Sequence, residues 1–388
     1  MQCLKRKFKH SERQVRLAIQ WKIKMEDQNR TELTELGEFG LIERIKKKVK
    51  IRNASTLTGI GDDAAIIKYD DDSKTVISTD LLVEGVHFDL SYVPLKHLGY
   101  KSVMVNISDI IAMNAIPRQI TVSISLSNRF SLEAVEEIYE GIFLACELYN
   151  VDLIGGDTTS SVSGLTLSIT AIGEGKEGKI VYRGGAKESN LLVVSGDLGG
   201  AYMGLQILER EKQIYKESPD VQLDLSDCDY ILERQLKPEA RLDVVREFES
   251  LEIIPNAMMD ISDGLSSEVL HLCNSSKVGV SIYEDKLPID QQTFDRARDN
   301  HLDPTMCALN GGEDYELVFA IDLSDYEKIK NHTMFTVVGH FLNESEGKTL
   351  TAKDGSTHPL EAQGWNCLLY TSDAADDTPC VDLGGRRI

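Results

Sequence analysis

Carboxylates recur in this chain behind glycines and at the ends of apolar runs. Gly59-Ile60-Gly61-Asp62-Asp63 lets the backbone turn tightly before two adjacent acids, just ahead of the apolar run Ala64 to Ile67. Adjacent strand residues point to opposite faces, so one acid is expected to bind and the other to hold the loop. A hairpin turn with solvated acids is the structural alternative. The theme returns at Asp80, which follows Lys74 to Thr79, and at Gly155-Gly156-Asp157-Thr158-Thr159, which follows Val151 to Ile154. It appears again in Asp260-Ile261-Ser262-Asp263-Gly264 and in Gly311-Gly312-Glu313-Asp314-Tyr315-Glu316. Clustered carboxylates suit Mg²⁺, a hard cation that prefers oxygen ligands. The metal then presents positive charge to a phosphate that the acids alone would repel.

Composition narrows the options. A chain of 388 residues that is 41% hydrophobic and 6% aromatic is expected to form about two globular domains. No apolar run approaches the ~18 residues of a membrane span. The formal charge of -21 argues against nucleic acid, although not against phosphate bound through a metal. Cysteines 3, 146, 228, 273, 307, 367 and 380 show neither zinc spacing nor a disulfide framework, so a reducing cytoplasm fits best.

The elements that must position the acids follow from periodicity. Leu41, Ile42, Ile45 and Val49 recur at helical spacing, and Lys74 to Thr79 reads as a buried strand ending on Asp80. Pro94 opens a helix with the stripe Leu98, Val103, Ile107, Ile110. That segment is apolar nearly all round, so Asn106 and Asp109, three apart on one face, are expected to be buried and to need partners. Ile120 to Ser127 alternates as a half-buried strand, and Leu132, Val135, Ile138, Ile142 and Cys146 mark the next helix. Val151 to Ile154 reads as a strand with Asp157 presented at its tip.

Gly173, Gly175 and Gly178 match a dinucleotide fingerprint, but Lys179 to Arg183 reads as a strand where that motif needs a helix. Gly347-Lys348-Thr349 ends like a P-loop, yet Leu342 stands where the first glycine belongs. Beyond a boundary near 173–178, Leu191 to Ser195 reads as a strand and Ala201 to Glu209 as a helix. Residues 211–228 read as a surface excursion, and Pro238 as a helix start. Met258 to Gly264 runs into a helix carrying Leu265, Val269 and Leu272, where capping would explain one of Asp260 and Asp263 but not both. Residues 1–24 are basic and read as sequence upstream of a start at Met25, or as a targeting leader. The segment from Cys367 to Ile388 reads as an artefactual or disordered tail.

In order along the chain, Gly37-Glu38-Phe39, Gly59 to Asp63, Ser78-Thr79-Asp80, Gly85-Val86-His87-Phe88, Asn106-Ile107-Ser108-Asp109, Gly155 to Thr158, Asp260 to Gly264 and Gly311 to Tyr315 resemble the thiamine-monophosphate kinase family. That family lies in the superfamily of aminoimidazole ribonucleotide synthetase. The resemblance covers about residues 36 to 366. It implies an α/β (α+β) two-domain fold with mixed sheets flanked by helices: 1–35 a leader and linker, 36–174 the amino-terminal domain, 175–366 the carboxy-terminal domain. It further implies a homodimer whose amino-terminal sheets pair. The implied activity is phosphoryl transfer from ATP to thiamine monophosphate with several Mg²⁺ ions. Carried over by position, Asp63, Ser78, Thr79, Asp80, Asp109, Asp157, Asp260 and Asp263 hold metal, with Asp109 and Asp263 catalytic. Gly156, Asp157, Arg183, Ser262 and Tyr139 contact ATP, while His87, Glu313 and Trp365 contact the acceptor.

The chemistry is consistent with the residues. A phosphate monoester is already ionised near neutral pH, so no general base is required, and the obstacle is repulsion between two phosphates. Sister ATP-dependent enzymes that use a reactive sulfur or selenium residue would need one here, and only Cys3 and Cys380, near the ends, stand out. A non-catalytic nucleotide- or metal-binding protein and a plain acidic scaffold are further alternatives.

Overall fold

The structure, a computed structural model, describes Leu41 and residues 44–58, 66–70, 72–219 and 225–362. The motif Gly59 to Asp63, Gly37-Glu38-Phe39, Trp365, the leader, the tail, Cys3 and Cys380 lie outside the described residues. Thr56–Thr58 (β1) and Ile66–Ile67 (β2) form an antiparallel pair. The first large sheet contains Ser73–Val83 (β3), Ile116–Leu126 (β4), Asp152–Ser160 (β5) and Leu165–Lys176 (β6), in the order β3-β6-β4-β5. Only β4 and β5 run parallel.

Leu95–Ala112 (α1) is buried along almost its whole length, as an all-round apolar helix must be. It lies on this sheet, with Leu132–Tyr149 (α2) packed on it. Ser131 caps α2 by accepting the Ala134 N–H, and Asn150 ends it in the left-handed region at φ 55°. The two helices approach backbone to backbone: a Cβ at Gly99 would stand 1.9 Å from the Ile138 carbonyl oxygen, and one at Gly141 1.9 Å from that of Lys96. Gly173 has the same role beneath the pair, since a Cβ there would meet Ile110 Cγ2 at 2.2 Å.

The second sheet has the order β13-β12-β9-β11-β7-β10-β8. Its strands are Leu191–Ser195 (β7), Ala257–Asp260 (β8), Gly279–Tyr283 (β9), Leu317–Ile321 (β10), Phe335–Leu342 (β11), Lys348–Thr351 (β12) and Thr357–Pro359 (β13). Helices Gly200–Glu217 (α3), Asp229–Leu236 (α4) and Leu242–Ser250 (α5) bury Val193, Met258, Phe319 and Phe335 on one face. Leu265–Ser276 (α6) and Pro304–Asn310 (α8) bury Leu192, Val194, Met259 and Val318 on the other, with Gln291–Asp299 (α7) between them in sequence. Tyr326–Ile329 (α9) follows β10. A sheet covered on both faces needs continuous apolar strands, and β8 and β10 are buried at every position.

Several expectations are corrected. The β3 strand runs past Asp80 to Val83 and is not buried: as an edge strand with one uncovered face, it leaves Ile77 64% and Leu81 51% exposed. Gly155-Gly156-Asp157-Thr158-Thr159 is not a loop at a strand tip but the continuation of β5, in register with Thr121 to Ser125 of β4. A Cβ at Gly156 would lie 1.8 Å from the Val122 carbonyl oxygen, so that glycine permits close strand packing. Lys179 to Arg183 is not a strand; after the turn at 177–179 the chain runs irregularly, with Tyr182 O accepting the Met258 N–H at 3.0 Å. The surface excursion expected at 211–228 is helix as far as Glu217, and Leu225 is buried. The helix expected at Pro238 begins at Leu242.

Candidate active site

α1 touches both β3 and β8, so residues from the two halves meet along it. Strand alternation turns Ser78 and Asp80 toward α1. Ser78 Oγ donates to Asp109 Oδ2 at 2.5 Å, and the Asp80 N–H donates to Asn106 Oδ1 at 2.8 Å. Asn106 Nδ2 in turn donates to the Ser102 carbonyl at 2.8 Å, which fixes its orientation. From the other half, Asp260 at the end of β8 accepts Ser108 Oγ at 2.6 Å. The expected polar pair on a buried helix thus has its partners.

These acids sit where ionisation is costly. Burial, then the charge of Asp109, pushes Asp80 up to about 6. Burial, then Asp109 again, raises Asp260 to about 7, with the Ser108 hydrogen bond opposing. Asp109 is raised by burial against the pull of Ser78 and the positive charge of Arg183. Asp263 is raised by burial, with His271 opposing. Among the described residues no three acids, histidines or cysteines form a ready-made metal cluster.

The β8–α6 loop presents Ser262 and Asp263. Neither Asp260 nor Asp263 caps α6: its N-cap is Gly264, which lacks a side chain. Instead Glu268, buried in the first turn, accepts the Asp263 N–H at 2.9 Å and Ser262 Oγ at 3.5 Å through Oε1. Burial raises Glu268 to about 8.

A second corner forms around Glu313, whose backbone is left-handed at φ 68° and donates its N–H to Ser262 O at 2.7 Å. Its Oε1 lies 2.8 Å from Lys101 Nζ, and its Oε2 accepts Gln235 Nε2 at 2.7 Å. His87 is close enough that both Glu313 and Lys101 perturb it, while burial lowers its pKa overall. Its Nδ1 accepts the Val83 N–H at 3.0 Å, so a neutral ring carries its proton on Nε2. The neighbouring acids do other work. Asp314 accepts the N–H groups of Gly199 and Ala201 at 2.7 and 3.3 Å, and Glu316 pairs with Arg234 at 3.0 Å and with Arg241.

Not every expected residue joins this cleft. Thr79 points to the opposite sheet face from Ser78 and Asp80, and its Oγ1 donates to Ile169 O at 3.0 Å. Tyr139 is 5% exposed in the core beside Phe143, away from the cleft, because its face of α2 packs inward. Asp157 and Gly156 stand on the far edge strand β5, three strands or roughly 14 Å from the Asp80 strand within one chain. Arg183 is exposed on the connection between the halves, yet near enough for its charge to act on Asp109. Asp63 and Trp365 lie outside the described residues. Sequence reasoning missed Lys101, Ser108, Gln235 and Glu268. For Lys101 there was a signal, a cation on the helix whose other polar residues were already suspect.

The chain matches the family descriptions "AIR synthase related protein, N-terminal domain" over residues 61–174 and "AIR synthase related protein, C-terminal domain" over 187–322. It is 33% identical to the thiamine-monophosphate kinase of Bacillus subtilis (strain 168) over 336 residues, covering 85% of this chain and 99% of that one. The chain belongs to the thiamine-monophosphate kinase family. The thiamine-monophosphate kinase structure from Stenotrophomonas maltophilia K279a superposes with a TM-score of 0.69 at 30% identity, over 83% of this chain and 98% of that one. A structure described as AaThiL complexed with AMPPCP and TMP superposes with a TM-score of 0.66 at 33% identity, over 87% and 99%. The two-domain α/β architecture of the kinase family is therefore that of this chain.

Proposed function

We propose that this protein is a phosphotransferase that passes the terminal phosphoryl group of ATP to the phosphate of thiamine monophosphate, giving thiamine diphosphate. The observation that carries the reading is the meeting of Asp80, Asp109 and Asp260 across the seam between the halves, each raised by burial. It is the arrangement expected of a kinase-family chain whose acids bind a cation. Mg²⁺ fits this donor set: all donors are oxygens, and Mg²⁺ is commonly held by one or two carboxylates with waters and substrate phosphates, which does not demand a ready-made cluster. Asp80, Asp109, Asp260 and Asp263 would hold it, with Ser78 orienting Asp109; Asp63 and Asp157 are further candidates from the family resemblance. Bound Mg²⁺ would supply the positive charge that lets two phosphates approach and that stabilises the transferring group.

The chain's own groups then orient and exclude. His87 Nε2–H is a neutral donor aimed from the β3 exit, suited to an acceptor oxygen, and Arg183 brings positive charge to the Asp109 side, where ATP would lie. Ser262, on the same loop as Asp263, would contact the nucleotide, as the family resemblance implies. An acceptor phosphate ionised near neutral pH needs no general base, in keeping with direct in-line transfer without a phosphoenzyme. The buried free thiols of Cys146, Cys273 and Cys307 are pushed up to about 12 by burial, which leaves those three without the activation the sister chemistries need. We also propose a homodimer joined through the uncovered face of the first sheet, and a cytoplasmic location; no described helix is long and apolar enough to cross a membrane.

The test is chromatography of the products formed from thiamine monophosphate, ATP and MgCl₂, with thiamine as control acceptor. Thiamine diphosphate formed only with the monophosphate, and abolished by EDTA, is the expected result. Turnover of thiamine instead, or ATP hydrolysis with no diphosphate product, overturns the reading.

A further inference from the structure

Lys101 is a cation on the buried helix α1, and its side chain is 7% exposed. A buried ammonium is costly unless it is paired and hydrogen-bonded, and this one is both. Its Nζ lies 2.8 Å from Glu313 Oε1 and donates to the Gln235 carbonyl at 3.1 Å. Gln235, itself 6% exposed, completes the arrangement by donating Nε2 to Glu313 Oε2 at 2.7 Å. Both oxygens of one carboxylate are therefore gripped from behind by buried donors on α1 and α4. The Glu313 side chain remains 29% exposed, and its charge acts on His87. Its left-handed backbone adds a third constraint, anchored by the N–H bond to Ser262 O at 2.7 Å.

Resting on the kinase reading above, we infer that Lys101 and Gln235 are positioning residues for acceptor recognition: they hold the Glu313 carboxylate in one orientation so that its open edge meets the cationic thiazolium end of thiamine monophosphate. Neither residue touches the acceptor; they act through Glu313. A carboxylate free to rotate would spend ordering entropy on each binding event, whereas this one is ordered beforehand. ATP, bound on the Asp109 and Arg183 side, gains nothing from the arrangement.

The experiment measures KM for each substrate, kcat, and calorimetric binding of thiamine monophosphate, for wild type, Lys101→Met, Gln235→Met, Glu313→Gln and the Lys101→Met/Glu313→Gln double variant. Expected is a rise of about tenfold in KM and Kd for thiamine monophosphate in each single variant, with kcat and the KM for ATP within about twofold. The double variant should be no worse than Glu313→Gln alone, because Lys101 has no role once Glu313 has lost its charge. Additive losses in the double variant, or equal rises in both KM values, overturn the inference. If Lys101→Met does not fold, Gln235→Met carries the test, since it removes one donor and leaves the ion pair intact. Wild-type turnover separates the two failures: none with thiamine monophosphate defeats the kinase reading, whereas normal turnover with unchanged variants defeats only the role of Lys101 and Gln235.

Discussion

Asp109 stands between Ser78, Asp80 and Asp260, and its charge raises both neighbouring acids. Asp109→Asn keeps the Ser78 hydrogen bond and removes the repulsion. Turnover should fall by about 100-fold or more. The melting temperature should stay level or rise, by about 2–4 °C for each kcal/mol of relieved repulsion. Paired kcat and calorimetric measurements check this; a variant that melts lower while keeping its specific activity would assign Asp109 to structure. His87 makes a narrower claim. Because its proton is on Nε2, His87→Asn should raise the KM for thiamine monophosphate and leave that for ATP nearly unchanged, as steady-state kinetics can decide. At this scale the sequence was legible in part. Gly311 to Glu316 carries three acids that look alike, yet only Glu313 opens to the cleft. Asp314 and Glu316 are buried anchors for the Gly199 turn and for Arg234 and Arg241. No spacing rule separates them, because their partners arrive from more than 70 residues away.

Among the elements, the α1–α2 crossing depends on glycines with no room for a methyl group. Gly99→Ala would force a Cβ against the Ile138 carbonyl and should cost about 3 kcal/mol, read as a lower denaturation midpoint with unchanged slope. His97 on α1 has a pKa lowered to about 4 by burial and by Lys237 and Lys96. The unfolded chain therefore takes up this proton first as pH falls. The contribution is complete above about 6.5 and is lost toward about 4, with a slope of at most about 1.4 kcal/mol per pH unit. Other acids titrate in the same range, so the measurement is the difference between wild type and His97→Phe. Stability curves that stay parallel from pH 7 to 4 would remove His97 from the account. α1, α2 and β4 could be read from periodicity, since each has one uninterrupted pattern. The continuation of β5 through Gly155-Gly156 could not, because paired glycines ordinarily mark a break and the close approach of Val122 that requires Gly156 comes from another strand. The exposure of β3 depends on its edge position, which is a property of sheet order and not of its own residues.

For the whole molecule, Ile77 and Leu81 lie on the uncovered face of the first sheet in a chain of net charge -21. If two copies pair there, apolar attraction must overcome mutual repulsion. Dimerisation should then strengthen with salt, most steeply below ~0.1 M, where the Debye length exceeds about 10 Å. Ile77→Asp/Leu81→Asp should sediment as a monomer where wild type sediments as a dimer. A wild type monomeric at 0.5 M salt and micromolar concentration would rule out this face as a stable interface.

The seam itself has a consequence for how such a chain can change. Lys101 and Ser108, two turns apart on α1, reach the second half, while Asn106 and Asp109 reach β3. Inserting or deleting one residue between positions 101 and 109 would rotate everything downstream by about 100° and uncouple the two sets of contacts at once. Substitutions can accumulate there one by one, but a change in length cannot. The nine residues from Lys101 to Asp109 should therefore stay constant in number wherever this chemistry is kept.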